Sequence, residues 1–444
     1  MHNKLLCLTV ALLFIGSVTF AEGPEVTHHG TFYIYSFFWQ NADFDADLPT
    51  EDISDGDQFF YMHADIGVLV DFGQGVSSKV TIGGWGTFGK HPITYEGIEG
   101  GTEGQNAGVR EAYIHFANIF DTPISFKAGK MWVLYGDQVF DGGEDGAMGA
   151  KFLVNTDMVD FDLAWYRLVE GGGCRCVGLD PGPIDDDLDL FAGWLTLKLM
   201  EGAVNLAPYG FYRTRSFYVD GVTITDAPMW VGGRLDATPI PGLSFAGEFT
   251  MMMGSYTEDE DYELDYAGMH YMGRLSYMPP GIPISFGGAY MSFSGDDGET
   301  DDEWELYESP IWGPYTFNFY KWWPGLGTVH TLRSAFGFAM MMPPYVAGVT
   351  DEDIFVVNLN VINGHLAFHQ GPLMLRGDVF MYSKHWVPDG DESDMGMEFD
   401  LLATYTYRKT ITVGATVGYW TPGDYFGEDL DPMLGGYLFT FITF

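Results

Sequence analysis

EFDLLATYTYRKTITVGATVGYW (398–420) consists of two runs of alternating residues joined at Arg408-Lys409. In the first run Phe399, Leu401, Ala403, Tyr405 and Tyr407 alternate with Glu398, Asp400, Thr404, Thr406 and Arg408. In the second, Ile411, Val413, Ala415, Val417 and Tyr419 alternate with Thr410, Thr412, Gly414, Thr416 and Gly418. A β-strand turns successive side chains to opposite faces, so each run has one apolar and one polar face. LSFAGEFTM (243–251) repeats the pattern, with Leu243, Phe245, Phe249 and Met251 on one face and Glu248 and Thr250 on the other. Further dyads occur in KVTIGGWGTF, LMLRGDVFMYSK and FVVNLNV. A content of 16% aromatic residues and 59 glycines points the same way, to many short strands.

Eighteen such segments can be counted between 31–39 and 434–444, among them 203–218, 228–238, 242–253, 265–278 and 353–367; sixteen is the alternative count. Tight connections such as Asp121-Thr122, Pro239–Pro241 and Arg408-Lys409 alternate with long acidic ones. Short turns at one end and long loops at the other are the mark of a transmembrane antiparallel β-barrel, whose strand number is normally even. The expected fold is therefore all-β, an eighteen-stranded barrel with long acidic extracellular loops. No apolar run after the first twenty residues reaches the roughly 18–20 residues a spanning helix needs.

The two ends of the chain fit this scheme. MHNKLLCLTVALLFIGSVTFA (1–21) has a basic start at Lys4, an apolar run from Leu5 to Val18 and a small-residue end, which is the pattern of a secretory signal peptide. Residues 22–444 would then form the barrel. At the other end GGYLFTFITF (435–444) carries no charge, and its aromatic strand should close the barrel onto TFYIYSFFW (31–39).

Charge is sorted along the chain. The formal charge is −42, and 44 of the 62 acids fall in the nine long connections, against only Lys90, Arg175, Lys321 and Arg333. Strand charges keep to the polar parity, as expected where a charge facing lipid near the midplane costs about 2–4 kcal/mol. That parity assigns Lys79, Lys127, Lys151, Arg213, Arg215, Arg234, Arg274, Arg376, Lys384 and Arg408 to the interior as pore-lining bases. It also assigns ten acids there: Asp65, Asp71, Glu111, Asp160, Asp162, Asp236, Glu248, Asp378, Glu398 and Asp400. Lys130, Arg167 and Lys198 are exceptions to the sorting, near strand ends or bulges. Facing rows of bases and acids can set a transverse field across a water-filled lumen, or form salt-bridge ladders that hold the wall; both roles stand.

REAYIHFANIFDTPISFKAGKMWVLYGDQVFDG (110–142) combines a Glu-Ala-Tyr strand, a short Pro-containing turn and a Gly-basic strand running into Tyr-Gly-Asp. This stretch resembles the alginate-export-type family of eighteen-stranded outer-membrane porins, over about 45 residues through Lys151-Phe152. Members of that family pass an anionic polysaccharide through a strongly basic pore. Here the bases are matched by acids, so the resemblance carries over the barrel and the pore alone. It implies a passive channel for small hydrophilic solutes, saccharides or cations, with outer-membrane lipid and lipopolysaccharide as its surroundings. The alternative is a non-conducting surface barrel whose acidic loops bind divalent cations, lipopolysaccharide or a protein partner. No nucleic acid is expected, oligomeric state is open, and no catalytic constellation stands out.

The loops offer further candidates. NADFDADLPTEDISDGD (41–57) and YTEDEDYELD (256–265) hold enough carboxylates for Ca²⁺ or Mg²⁺, or for diffuse counter-ions; no other cofactor is implied. Cys174 and Cys176 could form a small strained disulfide or remain thiols. The longest connection, about residues 295–352, contains WELYESPIWGPYTFNFYKWWPG. Trp304, Trp312, Lys321, Trp322 and Trp323 are its candidates for a constriction inside the barrel, or for a cap at its mouth.

Overall fold

The computed structural model describes residues 23–40, 56–89, 106–136, 140–141, 146–169, 187–219, 222–258, 262–295, 303–305, 307, 358–388, 391–426 and 431–444. Eighteen antiparallel wall strands follow one another in chain order from Glu25–Gln40 to Met433–Thr443, each hydrogen-bonded to the next. One of them is interrupted: Tyr262–Tyr266 and Met269–Tyr277 both pair with Leu243–Glu258. The last strand pairs with the first, from Thr31 opposite Thr443 to Gln40 opposite Leu434. Phe444 and Gly30 extend this seam by exchanging backbone hydrogen bonds of 2.9 and 3.1 Å. Gly30 has to be small there, since a Cβ would come within 2.7 Å of the Asp65 carbonyl oxygen.

Burial follows the sequence dyads, with the inside and outside of a soluble protein exchanged. Ile66, Leu366 and Leu401 are 63%, 60% and 66% exposed, and they belong to an apolar outer face. The opposite parity holds Asp65, Glu248, Glu398 and Trp420, all buried in the interior. Aromatic rings fill the seam from within: Tyr35 stacks on Phe439 at 5.9 Å, and Tyr33 on His63 at 4.6 Å. Among the described residues no helix is long and apolar enough to cross a membrane, which leaves the strands to do so.

Several boundaries differ from the expected ones. The acidic stretches around 220–227 and 254–264 are largely strand: Val204–Val219 meets Val222–Ile240, and Leu243–Glu258 meets Tyr262–Tyr266. Cross-strand pairs such as Tyr256 with Leu264 and Phe217 with Ile224 supply the packing that extends these ladders. Of the segment expected at 353–367, residues 353–357 lie outside the described residues, and the strand runs from Leu359 to Gln370. Lys198, expected as an exception to the parity, lies on the inward set with Leu190 and Ala192 and pairs with Asp160 at 2.7 Å.

At the short-turn end, Arg408 and Lys409 both have positive φ, 49° and 62°. Two left-handed residues make the turn that best follows strand twist, but L-residues with a Cβ pay about 1–2 kcal/mol each for it. Replacing Arg408-Lys409 with Asn-Gly should therefore raise the unfolding free energy by about 1–2 kcal/mol, measured by urea titration of the refolded barrel. Cysteines at Phe245 or Val413 should react with membrane-confined reagents and one at Thr412 with water-soluble ones; the opposite pattern would mean a one-residue slip of register.

Candidate functional site

The interior of the barrel is lined by charges that answer one another. Lys79, Lys127, Lys151, Arg213, Arg215, Arg234, Asp236, Glu248, Arg274, Arg376, Asp378, Lys384, Glu398 and Asp400 occupy the inward parity of their strands. Arg408 does not: it sits exposed in the turn after Tyr407, 5.1 Å over that ring. The period-2 pattern had been carried one residue past the point where the strand ends.

Three groups of contacts organise the lining. Arg234 grips Asp236 with two hydrogen bonds of 2.6 and 2.7 Å and reaches Glu248 on the next strand at 3.0 Å. Tyr209 donates to the other Glu248 oxygen at 3.0 Å, so this fully buried carboxylate is satisfied on both sides. Arg376 binds Asp378 in the same two-pronged way, at 2.7 and 2.6 Å, with Asn363 donating to Asp378 at 3.1 Å. Across the barrel Lys79 pairs with Glu111 at 2.5 Å, and Thr81 donates to the same carboxylate.

Arg110 joins this third group. Thr81 pairs with Glu111 but Ile82 with Val109, so Arg110 is the extra residue of a bulge. An extra residue turns two neighbours to the same face, and both Arg110 and Glu111 are buried, with Arg110 3.9 Å from Asp65 and Asp65 2.8 Å from His63. Period-2 reading places Arg110 outside, which is why it is absent from the sequence-derived set. No residue type near it announces the bulge.

Lys127 and Lys151 lie directly opposite one another on adjacent strands. Like charges in that position repel. The repulsion is offset by an ion pair of Lys151 with Asp162 and by two rings, Tyr113 beneath Lys127 at 4.4 Å and Tyr135 beneath Lys151 at 4.9 Å. Tyr135 does not belong to the wall. It comes from the connection after Met131, where Leu134–Tyr135 pairs with Phe140–Asp141 in a small separate hairpin. Its hydroxyl meets Asp162 and Tyr166, each at 3.2 Å. Its ring packs on Trp194 at 5.8 Å and Phe211 at 5.3 Å, and Trp194 in turn lies flat on Tyr209 at 4.5 Å. The hairpin therefore lies inside the barrel along the consecutive strands that run from the lysine pair to Arg234 and Glu248, close enough that a Cβ at Gly136 would be 3.6 Å from Glu248 Oε2.

The expected constriction in residues 295–352 is described only at Glu303–Glu305 and Tyr307. Trp304 packs at the edge of the interior cluster; Trp312, Lys321, Trp322 and Trp323 lie outside the described residues, as do residues 41–55 and Cys174 and Cys176. Among the described residues no group of three His, Cys, Asp or Glu is arranged to hold a metal ion.

No family model matches this chain, and no curated protein matches it in sequence. Solved structures match it in shape. OccAB4 of Acinetobacter baumannii aligns over 94% of this chain and 98% of its own, with a TM-score of 0.54 at 9% identity. OccK2 (OpdF) of Pseudomonas aeruginosa, solved in complex with glucuronate, aligns over 95% and 99%, again with a TM-score of 0.54 at 9% identity. OccK9 (OpdG) of the same organism aligns over 96% and 100% with the same score and identity. At that identity the likeness is one of fold: an outer-membrane-type barrel of eighteen strands.

Because Glu248 is fully buried, Arg234→Met should leave a carboxylate with no counter-charge and cost about 3–5 kcal/mol, read as a shift in urea midpoint. Changing Arg234 and Glu248 together to Met should recover most of that loss.

Proposed function

We propose that the chain is a bacterial outer-membrane porin that lets small hydrophilic solutes diffuse passively through its interior. The observation that carries this reading is the hairpin at 134–141, folded into a closed, charge-lined barrel and held there by Tyr135. A barrel wall alone needs no such element. An inward hairpin between a lysine pair and an Arg–Glu pair narrows the passage and sets opposed charges across it. The bacterial outer membrane is where closed barrels with an apolar outer face reside. Lipopolysaccharide is then the neighbour of the long-connection rim, whose carboxylates attract divalent counter-ions.

The solute class is suggested by two facts. The stretch at 110–142 resembles alginate-export porins, and one structural neighbour holds glucuronate, a small carboxylated sugar. Both favour saccharides over larger cargo, while the acids that answer interior bases, such as Glu111, Asp162, Glu248 and Asp378, argue against bulk export of a polyanion. The non-conducting alternative draws on a specific observation too: Glu398, Trp420 and Tyr166 are completely buried inside the barrel.

Single-channel recording in planar bilayers separates the two readings, with steady conductance expected from the refolded protein and silence supporting the alternative. Replacing residues 133–145 with a short glycine link should raise the conductance several-fold without unfolding the wall, since no wall strand is touched; unchanged conductance would remove the hairpin from the passage. The acidic rim should favour cations at about 0.1 M salt, with the preference fading toward 1 M as the Debye length falls from about 10 to 3 Å.

A further inference from the structure

His270 is fully buried, and neither ring nitrogen has a hydrogen-bond partner. It projects inward from Met269–Tyr277, opposite Thr250 on one neighbouring strand and Phe293 on the other. Its ring lies on Phe293 with centroids 4.6 Å apart and planes 23° apart, and against Tyr307 at 5.3 Å and 33°. A polar ring buried this way costs free energy that phenylalanine at the same place would not. Packing alone gives no reason for histidine.

Tyr307 belongs to a strap, the chain just beyond strand Ile284–Phe293. Glu303 and Trp304 pair in parallel with Asp265 and Tyr266, and Ala267 donates its N–H to the Trp304 carbonyl at 2.9 Å. Ser294 Oγ ties the strap to the wall by donating to the Glu305 carbonyl at 2.5 Å and accepting from the Met269 N–H at 2.8 Å. The strap is thus held by a few main-chain bonds and by the mutual packing of Phe293, His270 and Tyr307, with Phe293 and Tyr307 themselves 5.9 Å apart.

Among the described residues, the charged and titratable groups around the imidazole offer it no counter-charge. On the strand of Thr250, Glu248 is already engaged by Arg234 and Tyr209. Arg274, on the strand of His270 itself, is a cation. His385 reaches Ser292 on the strand of Phe293 at 3.0 Å. On the strap, Glu303 is exposed at the rim and Glu305 is held through its carbonyl, while Tyr307 stacks as a neutral ring.

We propose that His270 is a proton-sensitive pin for this strap. As neutral imidazole it is a flat plate beneath Tyr307. A proton on it places a full charge in a site shut off from water where no carboxylate among the described residues meets it, and the strap leaves the wall so that water can reach the imidazolium. Once released into water the imidazole takes up a proton near its ordinary pKa of about 6.5, so lowering the pH from about 7 to 5 favours the released strap over the closed one. The structural step stands on its own; its effect on ion flow rests on the porin reading, with Tyr307 withdrawing from the interior and conductance rising.

Hydrogen exchange in the refolded full-length barrel tests it at about pH 7 and 5, after correction for intrinsic rates. Protection of the Ala267 and Met269 amides should fall at least about tenfold at the lower pH. H270F, and a D265C/E303C disulfide across the strap ladder made with Cys174 and Cys176 changed to Ser, should keep their protection at both. In bilayers the wild type should show about a twofold rise in conductance on acidification that both variants lack. Unchanged protection in the wild type, or equal loss in H270F, overturns the pin. His270-dependent loss of protection without current at any pH would keep the pin and remove the porin reading. Steady current with invariant protection would do the reverse.

Discussion

The pairing of the last strand with the first is the constraint on which the rest of the structure depends. In hydrocarbon each unpaired backbone N–H or C=O costs several kcal/mol, and no water is present to take its place. An antiparallel sheet escapes that cost only by closing, and here Thr31 to Gln40 find their partners in Leu434 to Thr443. Once closed, the sheet has an inside and an outside, and the two-residue period of every strand is locked to that distinction. A slip of one residue at the seam would turn the interior charges toward lipid.

Closure also dictates the chemistry of the interior. Side chains such as Glu248, Arg234 and Asp378 are buried as thoroughly as the core of a soluble protein, yet they are ionic. Buried charges of this kind are tolerable only when nearly every carboxylate and guanidinium is answered, and the two-pronged Arg234–Asp236 and Arg376–Asp378 contacts do that within single strands. Residues two apart on a strand share a face, so a base followed two positions later by an acid makes a pair whatever the neighbouring strand contributes. The lysine pair at 127 and 151 departs from this economy, and its stability depends on a tyrosine delivered by the hairpin.

The hairpin at 134–141 and the strap at 303–307 both descend from the long-connection end and both meet the aromatic cluster around Trp194, Tyr209 and Tyr307. They differ in what holds them. Tyr135 is fixed by hydrogen bonds to Asp162 and Tyr166 and by a cation above its ring. Tyr307 rests on an imidazole that makes no hydrogen bond. One element is anchored by polar contacts and a cation, the other by ring packing and a few main-chain bonds.

Much of this was written in the one-dimensional pattern. Alternation in 398–420 and its counterparts determined strand, barrel and the facing of nearly every charged residue, because a strand has a period of two and lipid tolerates no charge on its side. The alternating connection lengths determined the eighteen strands. The pattern failed where geometry breaks the period: Arg110 is turned inward by a bulge, and Arg408 falls in a turn one step beyond the end of its strand. It was also silent on contacts across the barrel. That Tyr135 carries an inward hairpin follows from where Asp162, Tyr166 and Trp194 stand on two adjacent strands, Val159–Val169 and Leu188–Leu199. Tyr135 meets them only because the chain after Met131 folds back into the barrel, a path that no residue pattern announces.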